Sequence, residues 1–554
     1  MKILITISFL LVSLGSIAQQ EITTEESMDN LFEEWDAEDH PGGVIGVMLK
    51  DELLYAKAFG EANLTHGVKN DTSTLFNIAS ISKQFTAMGI IRLHEQGLLD
   101  IDDEIQKYLP TIPHFQEKIT IRHLMHHTSG LRSLHGLVEM AGWRQNDPRT
   151  TDDLFRLMEY QKELNFAPGD EYLYCNTGYM FMARIIENVS GQDFISWTKE
   201  NIFEPLGMKS TYVEEDYTLI VEHNADSYHS TKNGFKKSIP FWGYHGSGNG
   251  HTTVTDLLRW YNNFTHPQKG WEKAFELLTT QDTLNNGELN TYAFGVQIDS
   301  FMDYRRIQHG GGIGGYRSFA CNYPEADLKI VVLTNFSSSD VRGKVEAISE
   351  ILLERKSPGL GQHEWLEMKV LPRNLTKFEG SYWNDEKSFS RKIYLKNDTL
   401  WYSRSSENES ALIPCGEESG LFRMNDGNHF KVKFDFSGEK KKMTVGYGES
   451  DAGSFEEYMP SIPSDRDLSK YVGEYYSPEL KVTYTFVLEK FKVLYAEQIR
   501  LGKLSARWLK KDIFQVEWPL SDVRFEYNEF GKLIGFRASN GRVKNVWFEK
   551  VESK

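Results

Sequence analysis

Ser80, Ser82 and Lys83 lie close together in FNIASISKQFTAMGI, residues 76–90. Ser80 and Lys83 stand three positions apart, so a helix beginning near Ser80 places them on one face and turns Ser82 elsewhere. At a helix start the backbone N–H groups have no intrahelical partner and the dipole is positive. A serine there can offer its own N–H to a developing oxyanion, and a lysine one turn on can take its proton. The lysine works as a base only if burial or a neighbouring cation depresses its pKa. Ile78, Ile81, Phe85 and Met88 supply apolar surroundings. Ser-x-x-Lys alone is short, and most occurrences are capping serines and surface lysines, so the pattern needs partners.

Two further stretches offer them. Tyr174-Cys175-Asn176 opens a long apolar helical run. From one loop, Tyr174 can relay protons between Ser80, Lys83 and a leaving group, while Asn176 holds a substrate amide and fixes the lysine by hydrogen bonding. Taken in isolation these are a loop tyrosine and a capping asparagine. QHGGGIGGYRSFA places His309, Gly310, Gly311 and Gly312 just before a strand. Glycines weaken a strand unless something approaches its backbone closely. A substrate along that edge would explain them, with the N–H of Gly312 as a second oxyanion donor opposite that of Ser80. The plain alternative is a flexible glycine hairpin.

Other chemistry is less well supported. His123, His126 and His127 cluster, but no H-E-x-x-H or similar ligand spacing accompanies them, so no metal or cofactor is expected. The glycines around Ser247 lack the G-x-S-x-G spacing of a nucleophile elbow. Cys175, Cys321 and Cys415 are odd in number and far apart, which gives neither a disulfide framework nor a metal set.

The elements that must position these residues follow from patterning. Residues 25–38 read as an acidic helix, and residues 42–64 as two strands turning at Lys50-Asp51-Glu52. Helical patterns dominate from residue 83 to about residue 206. A second hairpin spans residues 316–336, turning near Pro324, and residues 341–355 close the segment as a helix. Strands at both ends with helices between predict one α/β domain, residues 25–356, whose sheet is mainly antiparallel. KSPGLGQHEW, residues 356–365, reads as a linker. Beyond it a repeat appears: Leu375 to Tyr382 and Leu468 to Tyr475 share L-[ST]-K-[FY]-x-G-x-Y. Two small antiparallel β-barrel-like domains are expected, residues 366–460 and 465–554.

The 554-residue chain has a net charge of −17, which argues against nucleic acid and anionic membranes as partners. Its first residues, MKILITISFLLVSLGSIAQQ, read as a signal peptide cut after Ala18. The mature protein is expected to be exported, periplasmic or secreted, with no membrane anchor.

Ser80-x-x-Lys83, Tyr174-x-Asn176 and His309-x-Gly311, in that order, resemble the motifs of the serine penicillin-recognising hydrolases. The nearest branch holds class C beta-lactamases, D,D-peptidases, D-aminopeptidases and related esterases. ITIRHLMHHTSGL and TTVTDLLRW are similar to that family too, and the resemblance spans roughly residues 29–354. It implies a beta-lactamase/transpeptidase-like domain with a helical subdomain. It also implies Ser80 as acylated nucleophile, Lys83 as its base partner, Tyr174 as general acid/base and Asn176 as substrate-orienting residue. His309 and Gly311 then occupy the third motif, and the amides of Ser80 and Gly312 form the oxyanion hole. Beta-lactamases and D,D-peptidases usually carry Lys at the position of His309. Histidine there, with two barrels behind, resembles the D-aminopeptidase and esterase side, in which a barrel loop reaches into the cleft. The expected activity is acyl transfer through Ser80 on a D-amino-acid amide, small peptide or ester, the substrate being small or peptidoglycan-derived. The alternatives are a beta-lactamase or D-alanyl-D-alanine carboxypeptidase, or a non-catalytic peptidoglycan- or glycan-binding protein.

Overall fold

The computed structural model describes residues 23–354 and 372–552, apart from short stretches at 386–388, 405–407, 416–419, 425–429, 448–449, 462 and 490–492. The expected signal peptide, residues 1–18, and the expected linker, residues 356–365, lie outside the described residues. Among the described residues no helix is long and apolar enough to cross a membrane.

A six-stranded sheet organises the first domain. Its strands are β1 (Gly43–Leu49), β2 (Glu52–Phe59), β3 (Gln297–Phe301), β4 (Tyr304–Ile313), β5 (Tyr316–Tyr323) and β6 (Leu328–Thr334). The order is β3-β4-β5-β6-β1-β2, and every pair is antiparallel. The two chain ends therefore meet in the middle, where β1 pairs with β6 from Gly43↔Thr334 to Leu49↔Leu328. Lys50 and Asp51 join β1 to β2 with φ of 49° and 62°, the left-handed pair that suits a two-residue hairpin turn.

Helices α1 (Thr24–Asn30) and α6 (Val341–Leu352) cover one face of the sheet, in a core that includes Phe32, Trp35, Val332 and Ile348. The acidic segment at 25–38 is thus a short helix followed by a 3-10 turn at Glu33–Asp36, not one continuous helix. The other face packs against α5 (Val254–Asn262), and the same core continues through α2 (Lys83–Glu95) to α4 (Asn176–Ser190), which packs on α2, and to α3 (Leu134–Met140). Gly46 of β1 lets α5 approach, since a Cβ there would lie 2.6 Å from Val254 Cγ2.

Two closed eight-stranded barrels follow. The repeat motif has the same function in each. Tyr382 Oη donates to the Phe378 carbonyl at 2.7 Å, and Tyr475 Oη donates to the Tyr471 carbonyl at 2.8 Å. Leu375 and Leu468 are buried beside them. The motif thus ties the entry turn of each barrel to its first strand.

The barrels differ in attachment. The first has its own core, around Tyr382, Leu400, Val432 and Met443. The second shares one continuous core with the helical part of the first domain, from Phe85 and Leu137 through to Tyr484 and Phe548.

Candidate active site

Ser80 lies in one 3-10 turn, Ala79–Ser82, that runs directly into α2. The helix start expected from spacing is therefore tighter than an α-helical turn. Ala79 has φ of +47°, a left-handed value unfavourable for a residue with a Cβ. Asn77 Oδ1 accepts the Ala79 N–H at 2.9 Å and holds the corner. Ser82 faces away from Ser80, and its buried Oγ accepts the Gly250 N–H at 2.9 Å.

Lys83 is wholly buried. Its Nζ donates to Ser80 Oγ at 3.1 Å and to the Ser247 carbonyl at 2.6 Å. It lies 4.8 Å from the Tyr174 ring centroid and 5.5 Å from that of Tyr179. Burial holds its pKa well below the ordinary lysine value, and the Arg542 cation adds to the effect. The neutral amine is thereby favoured. It can keep one N–H on Ser247 and turn its lone pair to the Ser80 hydroxyl.

Tyr174 and Asn176 flank this pair, with Asn176 the first residue of α4. Burial pushes the Tyr174 hydroxyl upward in pKa, and nearby Ser80 offsets part of that, although no hydrogen bond of ordinary geometry joins them. Asn176 Oδ1 is buried without a partner. Asn176 does not fix the lysine as its spacing suggested, because both Lys83 hydrogen bonds go to Ser80 and Ser247.

The glycine-rich strand forms the opposite wall. β3 pairs with β4 only as far as Gln297↔Gln308, so the edge from His309 to Ile313 is open. Ile313 pairs with Tyr316 across a two-residue turn. The alternation of the antiparallel ladder then turns the Gly312 N–H to the open edge. Gly311 has a different reason to be glycine: a Cβ there would meet the Ile78 carbonyl oxygen at 2.2 Å and Ser318 Oγ at 2.4 Å. What approaches Gly311 is the segment that carries Ser80, rather than a substrate.

His309 is neutral. Burial, with the repulsion that a proton on Lys83 would add, lowers its pKa to about 3. Nδ1 lies 2.6 Å from the Gly310 carbonyl, so it must carry the proton and donate. Nε2 then accepts from Tyr292 Oη at 2.9 Å.

The other histidines have structural contacts. The His123 ring accepts the Thr120 N–H at 3.2 Å, and His126 Nδ1 lies 2.8 Å from the Tyr292 carbonyl. His127 Nδ1 accepts the Cys175 N–H at 3.1 Å, and its ring lies 4.2 Å from that of Tyr174. Cys175 and the other two cysteines are buried and unbridged.

All the sequence-selected residues except Lys83, which lies beneath the floor, line one cleft of about 740 Å³. Sequence reasoning missed six further lining residues: His135, Glu139, Tyr172, Leu173, Trp242 and Arg542. Arg542 comes from the second barrel, in the turn between strands Leu533–Asn540 and Val543–Lys550. Asn-Gly in that repeat signals a tight turn, but nothing in it signals where the turn docks. A barrel loop does therefore reach the cleft.

Fold and site together define a penicillin-binding-protein-like hydrolase with two appended barrels. Residues 28–353 match the Beta-lactamase family. The chain is 31% identical over 327 residues to Penicillin-binding protein 4* of Bacillus subtilis, covering 56% of this chain and 71% of that one. It is 26% identical over 431 residues to a D-aminopeptidase of Brucella anthropi, covering 77% and 73%. An octameric penicillin-binding protein homologue from Pyrococcus abyssi shares the fold, with TM-score 0.54 and 23% identity over 78% of this chain and 99% of that one. The chain belongs to the beta-lactamase family of serine hydrolases.

Proposed function

We propose that the protein is an exported serine acyl hydrolase that cleaves a D-amino-acid amide, small peptide or ester through an acyl-Ser80 intermediate. The observation behind this reading is the buried Lys83 amine, 3.1 Å from Ser80 Oγ and biased to its neutral form. Lys83 takes the hydroxyl proton as Oγ attacks the carbonyl carbon. The N–H groups of Ser80 and Gly312 receive the developing oxyanion. Tyr174 passes a proton to the departing nitrogen or oxygen, and Asn176, whose Oδ1 is unpartnered, orients the acyl chain. Water, deprotonated by the same Tyr174–Lys83 pair, then attacks the acyl carbon and frees Ser80.

Neutral His309 in place of a lysine supports the D-aminopeptidase or esterase side of the family. The two barrels and the relative named as a D-aminopeptidase support the same side. Export rests on the leader-like residues 1–18. The test is labelling with a fluorophosphonate probe, expected at Ser80 and lost in Ser80→Ala. Parallel assays on a D-alanine anilide, a nitrophenyl ester and a chromogenic cephalosporin then separate the substrate classes. Folded protein that neither labels nor turns over any of the three would refute the proposal, and rapid cephalosporin turnover would refute its substrate class.

A further inference from the structure

We propose that Arg542 is the receptor for a carboxylate on the leaving group, so that the enzyme takes short peptides whose departing residue ends in a free carboxylate. The inference rests on the acyl-Ser80 reading and adds a substrate class to it.

Three observations support it. The first is place. Arg542 lines the cleft with Ser80, and its guanidinium carbon lies 4.9 Å from the ring centroid of Tyr174, the residue that faces the leaving group. A cation beside that ring meets a carboxylate carried one residue beyond the scissile nitrogen.

The second is rigidity without a partner. The Arg542 carbonyl accepts from the Ser133 N–H at 3.1 Å and from Asn165 Nδ2 at 3.1 Å. The Lys544 N–H donates to Asn165 Oδ1 at 2.7 Å, and Val543 is fully buried. The backbone of the turn is thus pinned to the catalytic domain at the arginine's own carbonyl and two residues beyond it. Yet among the described residues no carboxylate pairs with its guanidinium. The acids around it are engaged elsewhere. Glu171 pairs with Lys544 at 3.2 Å, and Glu163 with Arg537 at 2.9 Å. Glu139, in the same cleft, accepts from Trp518 Nε1 at 2.7 Å and has Arg149 3.8 Å from its other oxygen. An exposed guanidinium carried on that pinned turn, without a counter-ion at the mouth of a reactive site, is suited to a bidentate anion from solution.

The third is that no other side chain of the cleft is placed to supply the charge. His309 spends its Nδ1–H on Gly310 and its Nε2 on the Tyr292 hydroxyl, so it has neither charge nor donor for a carboxylate. Lys83 is beneath the floor and committed to Ser80 and Ser247. Of the described residues lining the cleft, Arg542 is the one cation.

The test is binding, measured by calorimetry on full-length Ser80→Ala protein, with N-acetyl-D-alanyl-D-alanine and its C-terminal carboxamide as the probe pair. Adding Arg542→Gln is expected to weaken the acid about tenfold to a hundredfold, the scale of one lost charge-assisted hydrogen-bond pair. The carboxamide should hold its affinity, and Arg542→Lys should recover part of the loss for the acid. Equal weakening of acid and carboxamide overturns the proposal. So does a protein with Arg542 intact that fails to prefer the acid, including one that binds neither probe. Fluorophosphonate labelling of the wild type is scored separately. A protein that prefers the acid but never labels refutes the acyl-Ser80 reading and leaves the Arg542 assignment standing.

Discussion

Glu479→Ala should detach the second barrel's grip on the cleft, and the structure sets the size of the effect. Glu479 Oε2 accepts from Arg132 Nη1 at 2.6 Å and from the Lys162 N–H at 3.1 Å. The two charged side chains are 3% and 0% exposed. Arg132 holds the same barrel through its other donors, with Nε on the Lys544 carbonyl at 2.9 Å and Nη2 on the Asn545 carbonyl at 3.1 Å. Removing the carboxylate strands a buried guanidinium that cannot escape by losing its proton. Breaking one side of a buried pair costs about 3–5 kcal/mol. Glu163, 3.6 Å from Arg132 and half in solvent, remains to screen the charge, which favours the lower end, about 3 kcal/mol. The assay is equilibrium urea unfolding followed by tryptophan fluorescence. The second barrel shares its core with the catalytic domain and the first barrel does not, so two transitions are expected, with the loss confined to the one that includes the catalytic domain. Replacing both partners, Arg132→Met with Glu479→Leu, should recover part of the stability, because no charge is then stranded although the Lys162 N–H and the Lys544 carbonyl lose these partners. A loss under about 1 kcal/mol, or a double variant as unstable as the single, would refute the reasoning.

Lys83→Met should abolish acylation of Ser80 yet raise stability at neutral pH. The unfolded lysine is protonated up to about pH 10.4, while burial, aided by Arg542, lowers the folded pKa, so folding between the two pKa values must release a proton. The gain should shrink as the pH rises from neutrality toward 10; a pH-independent gain would show that the folded lysine is charged. Gly311→Ala places a Cβ 2.2 Å from the Ile78 carbonyl and should cost about 1–3 kcal/mol and slow acylation, whereas Gly310→Ala, 3.3 Å from the Phe319 ring, should be tolerated. Thermal melts and probe-labelling rates on the pair check this, and equal losses would contradict it. Nitrogen-15 NMR should find His309 neutral, with its proton on Nδ1, from about pH 5 to 8, since its pKa is lowered to about 3. Titration inside that window would contradict the assigned hydrogen bonds.

The central sheet was legible because its strands announce themselves locally. Residues 42–64 and 316–336 alternate or run apolar and break at turn residues, and β1, β2, β5 and β6 fall there. The nucleophile motif was legible because three-residue spacing is a helical property. Its detail was not. The 3-10 geometry of Ala79–Ser82 and the left-handed Ala79 are imposed by Asn77 and by Gly311, which lies far along the chain. The glycine run at 310–315 was read as room for a substrate, but Gly311 makes room for the Ile78 carbonyl. The two barrels were legible from their repeat, yet nothing local distinguishes the one that shares the catalytic core. That difference resides in contacts such as Arg132–Glu479 and Tyr484 Oη to the Met140 carbonyl, 2.9 Å, between segments hundreds of residues apart. Arg542 was invisible for the same reason.

Arg542 also couples substrate charge to the base. In the free enzyme its cation adds to burial in depressing the Lys83 pKa. A carboxylate seated on the guanidinium cancels that field while leaving burial in place. Lys83 should therefore be a stronger base in the complex with an acidic substrate than in the free enzyme. The acid limb of kcat/KM reports the free enzyme, and that of kcat reports the complex. For a peptide ending in a carboxylate, the acid limb of kcat should lie at higher pH than that of kcat/KM. For the matching carboxamide the two should coincide, because nothing neutralises Arg542. In Arg542→Gln the cation is gone from both states, so the free-enzyme limb should move to higher pH for either substrate and the gap should close. Coincident limbs for the carboxylate substrate in wild-type protein would mean that the substrate's charge does not reach Arg542. A gap that survives Arg542→Gln would place the coupling on another residue.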